Sequence, residues 1–214
     1  MTSAFTGTAK VHGELGLRKI AAPKAPLSWR IKNKLRFGYW HGLVSYWTAK
    51  AVSRLFAIGT FTASLRIKVK RANGTWEDYG TVGYRVVTNA GVALLVDDWT
   101  DGSTNIANFN YHGVGAGSTA EAAGDTALVT EYTTEINPNS TRATGSKSQP
   151  SANILQTQAT IAFDGTVAVV EHGVFSQAAT GGGVLWDRTV FSVINLGNGD
   201  SLQATYQVTF NAGS

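Results

Sequence analysis

The sequence predicts an all-β protein: an antiparallel β-sandwich, jelly-roll or immunoglobulin-like, with a basic N-terminal arm and one short helix. Three observations lead to this class. About seven short segments after residue 60 alternate apolar and polar residues, turn residues separate them at short intervals, and the 214-residue chain has 24 glycines but only 15% charged residues. We therefore expect two parts, an assembly segment of residues 1–58 and a β-sandwich of residues 59–214.

The assembly segment begins with an arm. Residues 1–26 contain two prolines and little periodicity, which predicts an extended conformation. Across residues 27–37 the apolar side chains fall on odd positions, and Asn33 is the interruption. This alternation predicts a strand, and it places Trp29 and Phe37 together on an apolar face in the core.

A helix is predicted after Gly42, where apolar residues recur at steps of three and four, and Gly59 is expected to end it. These residues are Val44, Trp47, Ala51, Leu55 and Ile58. Because an apolar helix face is usually buried, we expect this face to cover an open side of the sheet. Binding to a membrane surface is the alternative, but Lys50 and Arg54 are few cations for that purpose.

The first strand of the β-sandwich is predicted at residues 65–70, where apolar and cationic residues alternate. The dipeptide Asn73-Gly74 predicts a hairpin, because both residues tolerate positive φ, and residues 79–87 form the return strand. The apolar run 93–96 suits a helix or a strand. Residues 118–121 resemble a capping box, which predicts a helical turn.

The C-terminal half is predicted to be strands after a polar loop at residues 137–151. The four strand segments are 152–163, 166–175, 184–194 and 201–210. Asp164-Gly165 joins the first two of these strands and predicts a second hairpin turn.

Charge is divided unequally along the chain. Residues 1–70 carry 13 Lys and Arg against one acid, a net charge of +12, whereas residues 71–214 carry 5 against 13, a net charge of −8. Seven cations of the two alternating segments are predicted to form one basic, partner-binding face: Arg30, Lys32, Lys34, Arg36, Arg66, Lys68 and Lys70. Like charges on neighbouring strands repel, so this face requires salt or an acidic partner.

An acidic protein surface is favoured over nucleic acid as that partner. Clustered cations could neutralise phosphates, and aromatic residues could stack on bases. However, Trp29 and Phe37 are assigned to the opposite, apolar face. Complementary charge also sets the register of assemblies, and the acidic half of a neighbouring copy would account for both charge blocks.

Residues suited to catalysis or to metal binding lack the necessary spacing. The chain has no cysteine, and no two of its histidines (His12, His41, His112 and His172) lie within five residues of each other. The acidic cluster 97–102 lacks the spacing of a calcium-binding loop. Glu171-His172 would need a partner oriented in space to form a triad. We expect no catalytic residue, no metal, no cofactor and, without an apolar span of roughly 18 residues, no membrane partner.

Three motifs of the C-terminal two-thirds of the chain recur together: Gly115–Leu128, Glu171–Phe175 and Asp187–Phe191. Through them, residues 79–214 resemble a type of virion protein found in tailed bacteriophages and prophages. The resemblance implies a non-enzymatic β-sandwich component of the particle, assigned to the tail, the neck or the capsid exterior. It transfers no catalytic residue, and it does not extend to residues 1–70.

The expected function is therefore that of a structural virion protein, made in the host cytoplasm, that binds the major capsid protein or tail and neck proteins and copies of itself. Capsid decoration is favoured over a tail, neck or fibre role, because an arm and a charged face suit the bridging of shell subunits. The alternatives are nucleic-acid binding and a carbohydrate-binding or hydrolytic tail module that uses Trp76 and Trp99. Residues 1–58 are expected to be ordered chiefly by other chains.

Overall fold

The computed structural model of the protein describes residues 21–56, 58–84, 86–100 and 106–212. The helices of these residues are α1 (Leu27–Lys34), α2 (Phe37–Phe56) and α3 (Asn89–Thr100), with a short 3-10 turn at Ile106–Asn108. The strands are β1 (Thr60–Lys70), β2 (Trp76–Tyr84), β3 (Val86–Val87), β4 (Tyr111–Gly115), β5 (Ile136–Asn137), β6 (Ala143–Thr144), β7 (Ser146–Ser151), β8 (Ile154–Phe163), β9 (Val167–Phe175), β10 (Leu185–Leu196) and β11 (Ser201–Asn211).

The strands form two antiparallel sheets that pack face to face. The first sheet has the order β2-β1-β11-β8-β5, with β7 also paired to β8, and the second has the order β3-β10-β9-β4-β6. Side chains of both sheets meet in one core, to which β1 contributes Leu65, Ile67 and Val69 and β10 contributes Ile194. The predicted antiparallel β-sandwich is confirmed.

Alternation along the long strands builds this core. In β1 the residues Leu65, Ile67 and Val69 are fully buried, and in the paired strand β11 Leu202 and Ala204 are buried opposite them. Burying one such side chain stabilises the fold by about 1.5–3 kcal/mol. The predicted strand at residues 65–70 is confirmed, and it begins earlier, at Thr60.

One of the two predicted hairpins is confirmed. Asn73-Gly74 connects the antiparallel strands β1 and β2, and Gly74 has a φ of 84°. Asp164-Gly165 connects β8 of the first sheet to β9 of the second, so the prediction of a hairpin there is wrong. A turn dipeptide marks a change of chain direction, but it does not select the sheet that the next strand joins.

The predicted strand at residues 27–37 is wrong, because this segment forms α1 and the start of α2. Leu27, Ile31 and Leu35 are four residues apart, so the same residues also fit the period of a helix. Lys32 and Lys34 lie in the last turn of α1, where cations interact favourably with the helix dipole.

α1 closes the sandwich on one side by bridging its two sheets. The Asn33 side chain donates a hydrogen bond of 2.9 Å to the carbonyl of Val82 in β2 and accepts one of 2.9 Å from the amide of Ser192 in β10. The Trp29 indole packs against the core, as predicted, and donates to the carbonyl of Val193 at 2.7 Å. α1 is therefore held by its own chain, and the expected ordering by other chains does not apply to it.

Residues 23–25 also belong to this closed side. The amide of Ala25 donates to the carbonyl of Asp78 at 2.8 Å, and the amide of Asp78 donates to the carbonyl of Pro23 at 2.7 Å. This pairing covers the outer edge of β2. The remainder of the predicted arm, residues 1–20, lies outside the described residues.

Three further segments differ from or complete the predictions. The apolar run 93–96 lies in α3, whereas residues 118–121 form no helical turn. A Cβ on Gly38, in the first turn of α2, would lie 3.1 Å from Glu121 Oε1, so this carboxylate faces α2. The predicted loop 137–151 contains β6 and β7.

Candidate interaction surface

Exposed apolar side chains are concentrated on α1 and α2. Of the seventeen large apolar side chains that are exposed in the described residues, ten lie between residues 27 and 58, which makes this segment the candidate site. We call these ten the helical surface: Leu27, Ile31, Leu35, Phe37, Trp40, Val44, Trp47, Leu55, Phe56 and Ile58. Phe37, predicted to be in the core, is exposed.

The apolar face of α2 points away from the sandwich. The helix itself is confirmed and begins at Phe37, but Trp47 is 60% exposed and Leu55 is 77% exposed. The expectation that this face covers the sheet is therefore wrong. A helix with large residues on one side and small residues on the other can lie against a sheet through the small ones.

Small residues allow α2 to approach the first sheet closely. A Cβ on Gly42 would lie 2.7 Å from the carbonyl oxygen of Tyr84 in β2, so a larger residue would displace the helix. Ser53 is buried and donates a hydrogen bond of 2.8 Å to the carbonyl of Ala212. The tilted packing of Tyr46 on Tyr84, with ring centroids 4.9 Å apart, completes this contact.

The size of the helical surface exceeds that of ordinary exposed patches. Because an aromatic side chain presents about 150–250 Å², the exposed stripe of α2 leaves on the order of 700 Å² uncovered, against roughly 300–600 Å² for the largest patch on a typical monomer. Each partner of a standard interface contributes about 800 Å². The stripe alone approaches that area.

Cations surround the helical surface, and residues 21–56 contain no acid. Of the seven predicted basic-face residues, Arg30, Lys34 and Arg66 meet with Lys24 in a cleft of about 320 Å³. Arg66 forms an ion pair with Asp78 at 2.5 Å, but the other three cations have no carboxylate partner in the described part of the chain.

The other predicted basic-face residues do not join this cleft. Lys32 is exposed on α1, and Lys68 and Lys70 lie on the outer side of β1. Burial lowers the pKa of Arg36, and the nearby Glu121 carboxylate opposes this effect. The prediction of a single strand face is wrong because residues 30–36 are helical, and partner binding by these cations stays a prediction.

Arginines of the sandwich neutralise many of its own acids. Six carboxylates are in ion pairs within the described residues: Glu77, Asp78, Asp125, Glu131, Glu171 and Asp200. Arg142, which is buried over the ring of Phe175, binds Glu131 through two nitrogens. Arg71, Arg142 and Arg188 are already counted in the net charge of −8, so an excess of acid remains in residues 71–214 after these ion pairs form.

Residues of the sequence motifs form a buried structural network. Glu171 accepts hydrogen bonds from the amides of Gly117 and Thr130 at 3.0 and 2.8 Å and from Arg188 Nε at 2.8 Å. Arg188 also pairs with Asp125 at 2.9 Å. This network fastens loop 116–130 to β9 and β10. Because neighbouring side chains of a strand point to opposite faces, Glu171 does not join His172 in a triad.

A buried histidine pair was not found by sequence reasoning. His112 Nδ1 lies 2.9 Å from His172 Nε2, and His112 Nε2 lies 3.2 Å from Thr157 Oγ1. The two histidines are sixty residues apart, so no local spacing reveals them. A Cβ on Gly145 would lie 2.9 Å from His112 Nε2, so the backbone of Gly145 packs closely against the pair.

No group of three or more His, Cys, Asp or Glu side chains suited to a metal ion occurs within residues 21–56, 58–84, 86–100 and 106–212. His12 and the end of the acidic cluster, residues 101–102, lie outside these ranges.

Among the described helices, none combines the length and the apolar character that crossing a bilayer requires.

An apolar groove of about 1000 Å³ lies at one end of the sandwich. Phe61, Leu155 and Phe210 of the first sheet line it on one side and Trp99 of α3 on the other. Trp76, the second candidate for carbohydrate binding, lines a different cavity, of about 770 Å³. The two tryptophans do not form one site.

Comparison with family models, curated proteins and solved structures finds no match to the chain. The fold class is that of an antiparallel β-sandwich carrying an apolar, basic helical surface.

Proposed function

We propose that the protein is a non-enzymatic structural component of a tailed-phage virion and that it binds other virion proteins through the helical surface. The observation that carries this proposal is the outward-facing apolar stripe of α2. Trp47 is 60% exposed and Leu55 is 77% exposed, so their own chain leaves most of their surface uncovered. A contiguous patch of this size is typical of protein–protein contact.

The motif residues that carry the resemblance to virion proteins support the same proposal. They hold loop 116–130 on the sandwich through Glu171 and Arg188, and that loop places Glu121 beside the first turn of α2. The part of the chain that resembles virion proteins thus reaches the helical surface at the start of α2.

Within the particle, capsid decoration is the role we favour, and a tail, neck or fibre position is the alternative. The helices are fixed to a rigid sandwich by Trp29 and Asn33, so a bound subunit would be tied to the whole domain. The expected partners are the major capsid protein, or tail and neck proteins, and copies of this chain.

The test is incorporation into particles. Gradient-purified virions should contain the protein in a fixed ratio to the major capsid protein, and the double variant Trp40→Ser/Trp47→Ser should be lost from them. The control is Trp99→Ser, which removes a tryptophan that is 81% exposed but lies outside the helical surface. Normal incorporation of the double variant, or absence of the protein from virions, would refute the proposal.

Nucleic-acid binding is a second candidate, favoured by the cleft that contains Lys24, Arg30 and Lys34. Phosphate contacts make affinity fall steeply with salt concentration. If this candidate is correct, Arg30→Glu/Lys34→Glu should weaken DNA binding and flatten its salt dependence, whereas Trp40→Ser/Trp47→Ser should not. Equal DNA affinities of the wild type and the charge variant would rule out nucleic-acid binding through this cleft.

A further inference from the structure

We infer that the helical surface receives an amphipathic α-helix of the partner protein, with apolar residues at steps of three and four and carboxylates beside them. This inference rests on the proposed function, since it names the chemistry of the partner that the same surface binds.

The spacing of the exposed stripe is that of a helix-pairing seam. Phe37, Trp40, Val44, Trp47 and Ala51 follow one another at steps of three, four, three and four, and all five are exposed. Such a strict stripe is narrower than the face that a helix presents to a globular core. It is the pattern by which side chains of one helix fit between those of another, at a crossing angle of about 20°.

A helix fits this seam better than an extended segment does. A strand binds by adding main-chain hydrogen bonds to a free sheet edge, but the backbone groups of α2 are used within the helix. The seam from Phe37 to Ala51 covers 15 of the 20 residues of α2 and is therefore about 22 Å long. It offers room for about four turns of a partner helix.

The seam is held rigid before binding. Gly42 lies against the carbonyl of Tyr84, and the hydroxyl of Ser53 is bonded to the carbonyl of Ala212, so both halves of α2 are fixed to the sandwich. A preorganised surface loses little conformational freedom on association.

The cations beside the seam favour a partner helix that carries acidic residues next to its apolar stripe. The Lys50 ammonium lies 4.7 Å from the ring centre of Tyr46 and 5.6 Å from that of Trp47, at the border of the apolar stripe. Lys32 and Lys34 lie in the last turn of α1, and residues 21–56 contain no acid, while Glu121 of the sandwich faces the first turn of α2. Charges flanking a helix seam set the choice of partner.

The same charges argue against a second copy of this chain as the occupant. Two copies joined in parallel through this seam would bring their Lys50 side chains together, away from Glu121 at the other end of α2. Six carboxylates of the sandwich are in internal ion pairs and are not free for such a contact.

The test uses the full chain and two synthetic helical peptides that share one leucine stripe at steps of three and four. One peptide has Glu beside the stripe and the other has Lys. We expect the Glu peptide to bind at least about tenfold more tightly, and Trp40→Ser/Trp47→Ser to weaken it by about tenfold or more, as loss of a central aromatic contact does. Lys50→Glu should remove most of the preference for the Glu peptide, and Trp99→Ser should change neither affinity.

Several outcomes would overturn the inference. These are equal binding of the two peptides, binding of neither, and a wild-type dimer in sedimentation that Trp40→Ser/Trp47→Ser dissociates. Binding to phosphatidylcholine–phosphatidylserine vesicles that the double variant loses, without a preference between the peptides, would also overturn it.

Particle incorporation separates this inference from the proposed function. If the double variant is lost from virions while wild-type protein shows no preference for the Glu peptide, the helical partner is wrong and the virion role stands. If the protein is absent from virions, the proposed function is wrong whatever the peptides do.

Discussion

In β1 the residues Leu65, Ile67 and Val69 face the core and are fully buried, whereas in α2 the residues Trp47 and Leu55 face solvent and are more than half exposed. Both elements have a regular apolar period. In β1 the opposite face is cationic, so only one orientation buries apolar area. In α2 the opposite face has glycine, alanine and serine, and these small residues let the helix lie close to the sheet. Periodicity thus tells which residues share a face, while the size of the residues opposite decides which face is buried.

The two regions also differ in the way they balance charge. The sandwich pairs Glu171 with Arg188 and Glu131 with Arg142 inside the chain. The helical segment of residues 21–56 contains no acid at all. At these sites the sandwich balances its charges within itself, whereas the cations of the helical segment have no acid within that segment.

The largest effect is expected from breaking an internal ion pair of the sandwich. Glu171→Ala removes the acceptor of Arg188 Nε and of the amides of Gly117 and Thr130, while Arg188 stays buried, and it should lower the free energy of unfolding by about 3–5 kcal/mol. Urea unfolding followed by tryptophan fluorescence measures this. Asp164→Ala, at an exposed turn, is the control and should change stability by less than about 0.5 kcal/mol. A small effect of Glu171→Ala would show that the sandwich does not depend on this pair.

The comparison of the two apolar faces is tested by one substitution made in each. Leu65→Ala in β1 should cost about 2–5 kcal/mol, because it leaves a cavity in the core. Leu55→Ala in α2 should change stability by no more than about 0.5 kcal/mol, because the side chain is 77% exposed. Thermal or urea unfolding of the two variants measures the difference, and equal losses would contradict the orientation of α2.

A smaller effect is expected where α1 joins the two sheets. Asn33→Ala leaves the carbonyl of Val82 and the amide of Ser192 without their partner and should cost about 1–3 kcal/mol. Hydrogen exchange of the Ser192 amide should become faster. The neighbouring Lys32→Ala should leave that exchange rate unchanged, and the same rate in both variants would mean that Asn33 does not hold the sheets together.

The smallest effect is a pH dependence of the sandwich. Hydrogen bonds from Arg71 hold the pKa of Glu77 below its ordinary value of 4.5. A lowered carboxylate pKa contributes stability that is fully present above pH 4.5 and is lost as the pH falls through the lower pKa of the folded state. Arg71→Gln should reduce the acid sensitivity of unfolding, and an unchanged pH profile in that variant would contradict this role.

Local sequence patterns predicted the long strands, but they did not predict which elements would pack against one another. Alternation of Leu65, Ile67 and Val69 is specific because no helix period fits it, whereas Leu27, Ile31 and Leu35 fit both periods. The orientation of α2 depends on the approach of Gly42 to Tyr84, which is a contact between distant segments. The pairing of His112 with His172 likewise arises only when β4 and β9 become neighbours.

The bridge made by Asn33 has a consequence for solubility. An edge strand with free backbone groups is a template on which further chains can polymerise. At Val82 the Asn33 amide supplies the donor that a neighbouring strand would supply, and at Asp78 residues 23–25 supply both a donor and an acceptor. Growth of the first sheet by strand addition is blocked at these two positions of β2, so another chain cannot pair with the backbone there.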